Sequence, residues 1–225
     1  MTACFVVGTD TGVGKTHVSC ALLQAMAQHH RRVVGMKPVA AGVVPWGEGW
    51  ASEDSIALRA ASTIAVPPEL DTPVLLPDPL SPHIAAARAG VQIDIAAIAQ
   101  AYQALSLQAD AVVVEGAGGF HVPLSPTETG ADLAVALNLP MVLVVGLRLG
   151  CLNHALLTAE AIAARGLTLA GWVANRVDPD MLAPEENIAW LQQRLGAPPL
   201  ADIPWGEHTA HSLAAHFQLP ADWTR

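Results

Sequence analysis

Lysine is almost missing from this chain. Its eleven basic residues comprise nine arginines and two lysines, Lys15 and Lys37. Positive charge is short as a whole: twenty acidic residues leave a net charge of −9, which argues against a nucleic-acid or anionic-membrane surface as the main partner. Cysteine is sparse. Cys4, Cys20 and Cys151 form no CxxC pair and no metal-ligand spacing, so a disulfide scaffold is excluded and a reduced, cytoplasmic setting is expected. Long hydrophobic runs are missing as well. The richest stretch, residues 137–147, falls short of the roughly 18–20 uncharged residues of a membrane span and is interrupted by Pro140. The first apolar run leads directly into a glycine-rich loop, so no secretory leader is expected. With 14% charged and 52% hydrophobic residues, intrinsic disorder is excluded too. What remains is a chain of 225 residues suited to one domain, 1–225. At this size a fold buries about 70–75% of its unfolded surface.

Short apolar runs at residues 3–7, 33–36, 111–114, 140–145, 169–174 and 199–203 predict strands. Helical spacing predicts helices at 15–28, 53–62, 82–89, 93–107, 151–164, 185–195 and 208–217. Ser52 is the expected N-cap of the second helix, and residues 40–50 and 64–79 are expected to be irregular. Strands that are apolar throughout and alternate with helices point to an α/β fold, a mainly parallel sheet covered by helices on both faces. In such folds ligands sit at the carboxyl ends of the strands. The glycines and polar residues gather there: Gly8–Thr16, Lys37, Glu115–Gly119, Gly146–Asn153, Asn175 and Pro204–Gly206.

The strongest local signal is Gly8-Thr9-Asp10-Thr11-Gly12-Val13-Gly14-Lys15-Thr16, between a predicted strand and a predicted helix. Glycines let backbone N–H groups turn inward around phosphate oxygens, and the helix offers its positive end to the same anion. Lys15 is placed to reach the β- and γ-phosphates and the Thr16 hydroxyl to ligate Mg²⁺. The spacing departs from the strict phosphate-loop pattern, because Thr9 stands where its first glycine belongs. Glu115 closes an apolar strand, the place of a magnesium-directed carboxylate, with close backbone access from Gly116 to Gly119. Asp54 lies in the first turn of a helix. It fits a second magnesium carboxylate and equally an acid favoured by the helix dipole.

Taken together the motifs resemble the dethiobiotin synthetases. The matching segments are GTDTGVGKT (8–16), GMKPVAAG (35–42), SPH (81–83), VVVEGAGG (112–119), LVVGLRLGCLNHALLT (143–158), LAGWVANRV (169–177) and IPW (203–205). The resemblance implies a P-loop NTPase-like three-layer fold and an enzyme that uses ATP and Mg²⁺ to join CO₂ to 7,8-diaminopelargonic acid. It implies a carbamate, then a carbamic–phosphoric anhydride, then closure of a cyclic urea. Lys37 and Lys15 are the catalytic lysines by this resemblance. ATP is expected against Gly12, Val13, Gly14, Lys15, Thr16, His17, Asp54, Glu115, Gly116, Ala117 and Gly118, with Asn175, Arg176, Pro204, Trp205 and Gly206 around the base. Thr16, Asp54 and Glu115 are the expected metal ligands. Substrate is expected against Thr11, Lys37, Ala41, Gly118, Leu149, Gly150, Cys151 and Asn153. A homodimer with its substrate site at the subunit interface is implied as well.

Three positions depart from the family. Gly12 replaces a common acidic residue, Ala41 a hydroxyl residue, and Arg148 the usual lysine. Asn175-Arg176-Val177-Asp178 partly matches the motif by which GTPases read guanine, so base selectivity is open to question. His154 has the spacing of a buried helix-face residue. Two other classes compete: a nucleotide-dependent switch and an amidoligase acting on another carboxylate. Partitioning-type ATPases carry an extra lysine early in the phosphate loop. Asp10 stands there instead and counts against the switch.

Overall fold

Strands that are apolar on both faces need cover on both sides, and this chain supplies it. The computed structural model describes residues 1–225. In chain order the elements are β1 (Thr2–Gly8), α1 (Lys15–Met26), β2 (Val33–Met36), β3 (Val39–Ala41), β4 (Val44–Trp46), β5 (Gly49–Ala51), α2 (Glu53–Ala61), α3 (Pro68–Asp71), β6 (Val74–Leu76), α4 (Pro82–Ala89), α5 (Ile95–Ser106), β7 (Ala111–Gly119), α6 (Gly130–Leu137), β8 (Met141–Leu147), α7 (Cys151–Ala164), β9 (Leu169–Arg176), α8 (Pro184–Leu195), β10 (Ala201–Ile203) and α9 (Ala210–Ala214). Six strands form one parallel sheet in the order β10-β9-β8-β1-β7-β2.

Side chains alternate across that sheet. Phe5, Val7, Val112, Val114, Leu143 and Trp172 enter one core, which α4 to α8 cover. Cys4, Val6, Val113, Val142, Val144 and Val173 enter the other, under α1, α2 and α9. Each fully buried Leu, Ile or Phe adds about 1.5–3 kcal/mol of hydrophobic stabilisation. The order of strands also sets the site. β1 is central, with β8 on one side and β7 on the other. Val6 pairs with Glu115 and Met36 with Val114, so the phosphate loop, Glu115 and Lys37 emerge side by side at one end of the sheet.

The predicted elements are present with end shifts of a few residues, and three regions differ. Residues 40–50, expected as loop, contain part of β3 and the β4–β5 hairpin, whose turn uses Gly47 at φ +58°. Residues 64–79 carry α3 and β6, and β6 pairs in parallel with β3. Runs of three residues are too short to show a period, so only the pairing partner defines them. The third is α6, which had no counterpart in the sequence reading. It is announced by Thr129 and Asp132, whose carboxylate accepts from Thr129 N–H at 2.7 Å.

Candidate active site

The phosphate loop begins where β1 stops. Gly12 and Gly14 hold φ of +74° and +82°, the left-handed region where a side chain is strained. Gly14 has a second reason to lack a side chain: a Cβ there would lie 2.2 Å from Asn175 Nδ2. Asn175, at the end of β9, is buried and donates from Nδ2 to Val13 O at 2.8 Å, bracing the loop from below. Thr9 N–H donates to Val144 O at 3.0 Å on the other flank. Lys15 is also buried, and its ammonium donates to Asp10 O at 3.2 Å across the loop. Burial, and then the like charge of Lys37, pull the Lys15 ammonium below the usual lysine range.

A polar cavity of about 280 Å³ opens in front of this loop. It is lined by Thr11, Gly12, Gly14, Lys15, Thr16, His17, Lys37, Asp54, Glu115 and Gly118, none of them a large apolar residue. The Thr16 hydroxyl lies 2.9 Å from Asp54 Oδ1 and 2.8 Å from Glu115 Oε1. It has one proton and faces two carboxylates. Lys37 Nζ lies 2.7 Å from Asp54 Oδ2, 2.7 Å from Glu115 Oε1 and 3.3 Å from Gly116 O. Glu115 is wholly buried, and its Oε2 has no hydrogen-bond partner in the protein. Burial alone lowers a lysine, but Glu115 and Asp54 more than offset it and the Lys37 ammonium ends above its ordinary range. Burial pushes the Asp54 carboxyl up, and the Lys37 charge and hydrogen bond outweigh it, so it ends below its ordinary range.

These donors suit magnesium. A hydroxyl and two carboxylates are hard oxygen donors, and the unpartnered Glu115 Oε2 offers a buried anionic atom. Asp54 stands in the first turn of α2, where helix-dipole stabilisation was the alternative to a metal role. The cap itself is made by Ser52 and Ser55, which bond each other reciprocally, leaving the Asp54 carboxylate to Thr16 and Lys37.

A family model described as an AAA domain matches residues 2–212. The ATP-dependent dethiobiotin synthetase BioD of Aromatoleum aromaticum is 54% identical, over 97% of this chain and 97% of that one. The chain belongs to the dethiobiotin synthetase family. Among solved structures, the cell division ATPase MinD of Pyrococcus furiosus superposes with a TM-score of 0.58 at 16% identity, over 91% of this chain and 84% of that one. A ParA family ATPase from Chlorobium tepidum gives 0.56 at 17%, over 96% and 90%. At such identities these two show the fold alone.

As a dethiobiotin synthetase, an ATP-dependent ligase of biotin biosynthesis, the protein keeps some predicted residues at the cavity and leaves others apart. Val13 is buried beneath the loop, and Gly116 packs so closely that a Cβ would meet the Phe5 ring at 2.9 Å. Ala117 follows on the same strand end. Gly118 places its backbone near Thr11, whose Oγ1 would lie 3.5 Å from a Cβ there. Pro204, Trp205 and Gly206 follow β10, and Trp205 is 58% exposed. Burial, and then His208, pull the His17 imidazole down, which brings the 204–208 loop and the start of α1 into one neighbourhood.

Arg176 is engaged elsewhere. Its Nε and Nη2 meet Asp202 at 2.9 and 2.8 Å, and its Nη1 meets Glu185 at 2.9 Å. That guanidinium ties β9 to β10 and α8. Asp178 Oδ1 accepts from Asp180 N–H at 3.0 Å within its own turn. Ala41 borders a second cavity of about 340 Å³ that reaches Asp54 and Pro79. Leu149, Gly150, Cys151 and Asn153 are absent from the lining of the polar cavity. Leu149 is 96% exposed, Gly150 takes φ +97° at the start of α7, and the Cys151 side chain is buried. Cys151 N–H donates to Arg148 O at 3.0 Å, which leaves the first-turn N–H groups of Leu152 and Asn153 without an intrahelical acceptor. His154, expected to be buried, is exposed, because Cys151 and Ala155 define the inward face of α7.

One pair escaped the sequence. Arg148 Nη2 lies 2.7 Å from Asp10 Oδ2, and Asp10 Oδ1 accepts from Thr11 N–H at 2.7 Å. The two residues are 138 positions apart, and only the β1–β8 pairing brings them together.

Proposed function

We propose that this synthetase closes the cyclic urea of dethiobiotin from 7,8-diaminopelargonic acid, CO₂ and ATP at the polar cavity, with release of ADP and phosphate. One observation carries it: the chain's two lysines converge with Thr16, Asp54 and Glu115 around one cavity at the mouth of a phosphate loop.

The chemistry asks little of side-chain nucleophiles. An amine nitrogen adds to CO₂ and loses a proton, giving a carbamate anion. A carbamate oxygen then forms a bond to the γ-phosphorus as the bond to the ADP oxygen breaks. The second amine attacks the carbamoyl carbon and gives up a proton, the ring closes, and phosphate leaves with the electron pair of the C–O bond. Both partners in the phosphoryl transfer are anions, so positioning and charge neutralisation supply the rate. Lys15 faces the β- and γ-phosphates, with the N–H groups of the loop and the start of α1 around them. Lys37 sits deeper, where the carbamate oxygen must approach. Thr16, Asp54 and Glu115 are the residues to hold Mg²⁺, which when bound would neutralise phosphate charge. Asn175 spends one Nδ2 proton on Val13 O, which leaves a second Nδ2 proton and the amide oxygen for the base, and the oxygen can accept from the exocyclic amine of adenine. Trp205, two residues past the Ile203 that pairs with Asn175, offers an exposed aromatic ring for the base.

The substrate carboxylate is assigned to the loop Leu149–Asn153. This loop does not line the cavity of its own chain, which fits a homodimer in which each site takes that loop from the partner. Asp10, paired with Arg148, supplies no lysine for the nucleotide-switch alternative. The setting assigned is cytoplasmic; no helix is long and apolar enough to cross a membrane.

The test is phosphate release by purified protein with Mg-ATP and bicarbonate, with and without diaminopelargonic acid, the product read by mass. Diamine-dependent release with dethiobiotin formed is expected. Release indifferent to the diamine, with no dethiobiotin, removes the assignment.

A further inference from the structure

Lys37 follows the last residue of an edge strand. β2 pairs with β7 and has no sheet neighbour on its other side. Whatever fixes the outer side of this lysine must therefore come from outside the sheet. The segment returning from α2 does so. Val33 N–H donates to Thr63 Oγ1 at 2.7 Å, Gly35 N–H to Ser62 Oγ at 3.0 Å, and Lys37 N–H to Asp71 O at 2.7 Å. Alternate residues of the free edge are thus closed in turn, and the last of these bonds belongs to the lysine itself.

That last bond depends on where Asp71 sits. The Asp71 side chain is 3% exposed and accepts a fork from Arg59, with Nε at 2.8 Å and Nη2 at 2.6 Å. It also accepts from the Thr72 hydroxyl at 2.9 Å. Arg59 stands in the last turn of α2, and Asp54 in its first turn. One partly buried ion pair, with Asp71 inside and the Arg59 side chain 24% exposed, therefore joins the helix carrying Asp54 to the backbone carbonyl that holds the Lys37 peptide. A planar guanidinium on a carboxylate fixes direction as well as distance, which a lysine cannot do.

We propose that Arg59 and Asp71 are positioning residues for Lys37: their fork sets the depth and direction at which its ammonium meets Asp54, Glu115 and the reacting groups. The inference rests on the role given to Lys37 above. With the fork broken, Asp71 is a stranded interior charge, the 67–72 segment turns toward water, and the Lys37 rung loosens.

Having two lysines makes this measurable. With lysine labelled by ¹³C at the ε carbon, the NMR spectrum holds two side-chain signals, Lys15 serving as internal reference and Lys37→Arg giving the assignment. The variants are Asp71→Asn, Arg59→Gln and Arg59→Lys. Each that folds is expected to shift or broaden the Lys37 signal while Lys15 stays in place. In the same variants kcat is expected to fall roughly tenfold with the KM for ATP held within about twofold. Arg59→Lys, which keeps the charge but not the fork, is expected to recover part of the loss seen in Arg59→Gln, and it carries the test if Asp71→Asn does not fold. A folded variant whose Lys37 signal superimposes on the native one overturns the proposal, whatever its kcat. So does a rise in KM at unchanged kcat. If the native protein forms no dethiobiotin, the reading of the preceding section fails while the NMR comparison still stands, so the two failures are told apart.

Discussion

Replacing Lys37 by methionine keeps an unbranched apolar stem, one atom shorter, and removes one charge from the centre of the site. The native ammonium lies 2.7 Å from a carboxylate oxygen of each of Asp54 and Glu115. Glu115 is fully buried, so only water entering from the polar cavity that Lys37 also lines can stand in for the ammonium. Removing one member of a buried ion pair costs about 3–5 kcal/mol, most of it the uncompensated charge left behind. The low end is expected here, because Lys15 is near and the Asp54 side chain is 44% exposed. About 3 kcal/mol in a domain of this size lowers Tm by about 6–12 °C.

The pH dependence fixes the sign. Lys37 titrates above its unfolded value, so its contribution is whole below that value and is lost as pH rises through the folded one. Asp54 titrates below its unfolded value, so its contribution is present above that value and is lost as pH falls through the folded one. In Lys37→Met the alkaline loss due to Lys37 disappears. The acid loss reverses, since protonating a stranded carboxylate now relieves repulsion. Urea denaturation from about pH 3, below the ordinary carboxylate range, to about pH 11, above the ordinary lysine range, with and without Mg²⁺, reads both effects. The gap between native and variant should be widest at neutral pH and narrow toward acid, and Mg²⁺ should stabilise the variant more than the native protein. A variant within about 1 kcal/mol of native at neutral pH, or a gap that widens as pH falls, would refute the reasoning.

Three further outcomes are expected. Thr16→Val removes the hydroxyl between Asp54 and Glu115, and kcat/KM for Mg-ATP should fall by roughly 100-fold or more, with Thr16→Ser close to native. Gly14→Ala combines a left-handed φ with a Cβ 2.2 Å from Asn175, whereas a Cβ at Gly12 meets nothing within 4 Å. Calorimetric ADP binding should be lost in Gly14→Ala, while Gly12→Ala should carry a strain of only about 1–2 kcal/mol, read by denaturation. Arg176→Ala should lower stability by about 1–3 kcal/mol by breaking the fork to Asp202. Nucleotide affinity should stay within about twofold; a larger loss would return Arg176 to the base-binding set.

Much of this protein is legible in its sequence because the deciding signals are local. The phosphate loop is nine contiguous residues at a strand–helix junction, and the helix at 151–164 shows its ends without help. Apolar strands between helices name the layers, since no other arrangement buries both faces. Elements whose definition lies in a distant partner were not legible. β3 and β6 are three residues each and exist because they pair. The inward face of α7 is chosen by the sheet it covers, so periodicity alone misplaced His154.

At the site, residue types were determined by the sequence and their engagements by the tertiary structure. Two lysines, two glycine-flanked strand ends and a Gly-Lys-Thr point to a nucleotide site, and the resemblance carried by the seven matching segments implies the chemistry. Strand order then decided that Lys37 and Glu115 meet, because β2 and β7 are neighbours with Met36 opposite Val114. It also decided that Asp10 finds Arg148, and that Arg176 turns to Asp202 on β10. Spacing along the chain carries no information about such contacts. They arise when a sheet brings strand ends from opposite parts of the chain to within hydrogen-bond reach, and for Lys37 and Glu115 burial then demands a partner.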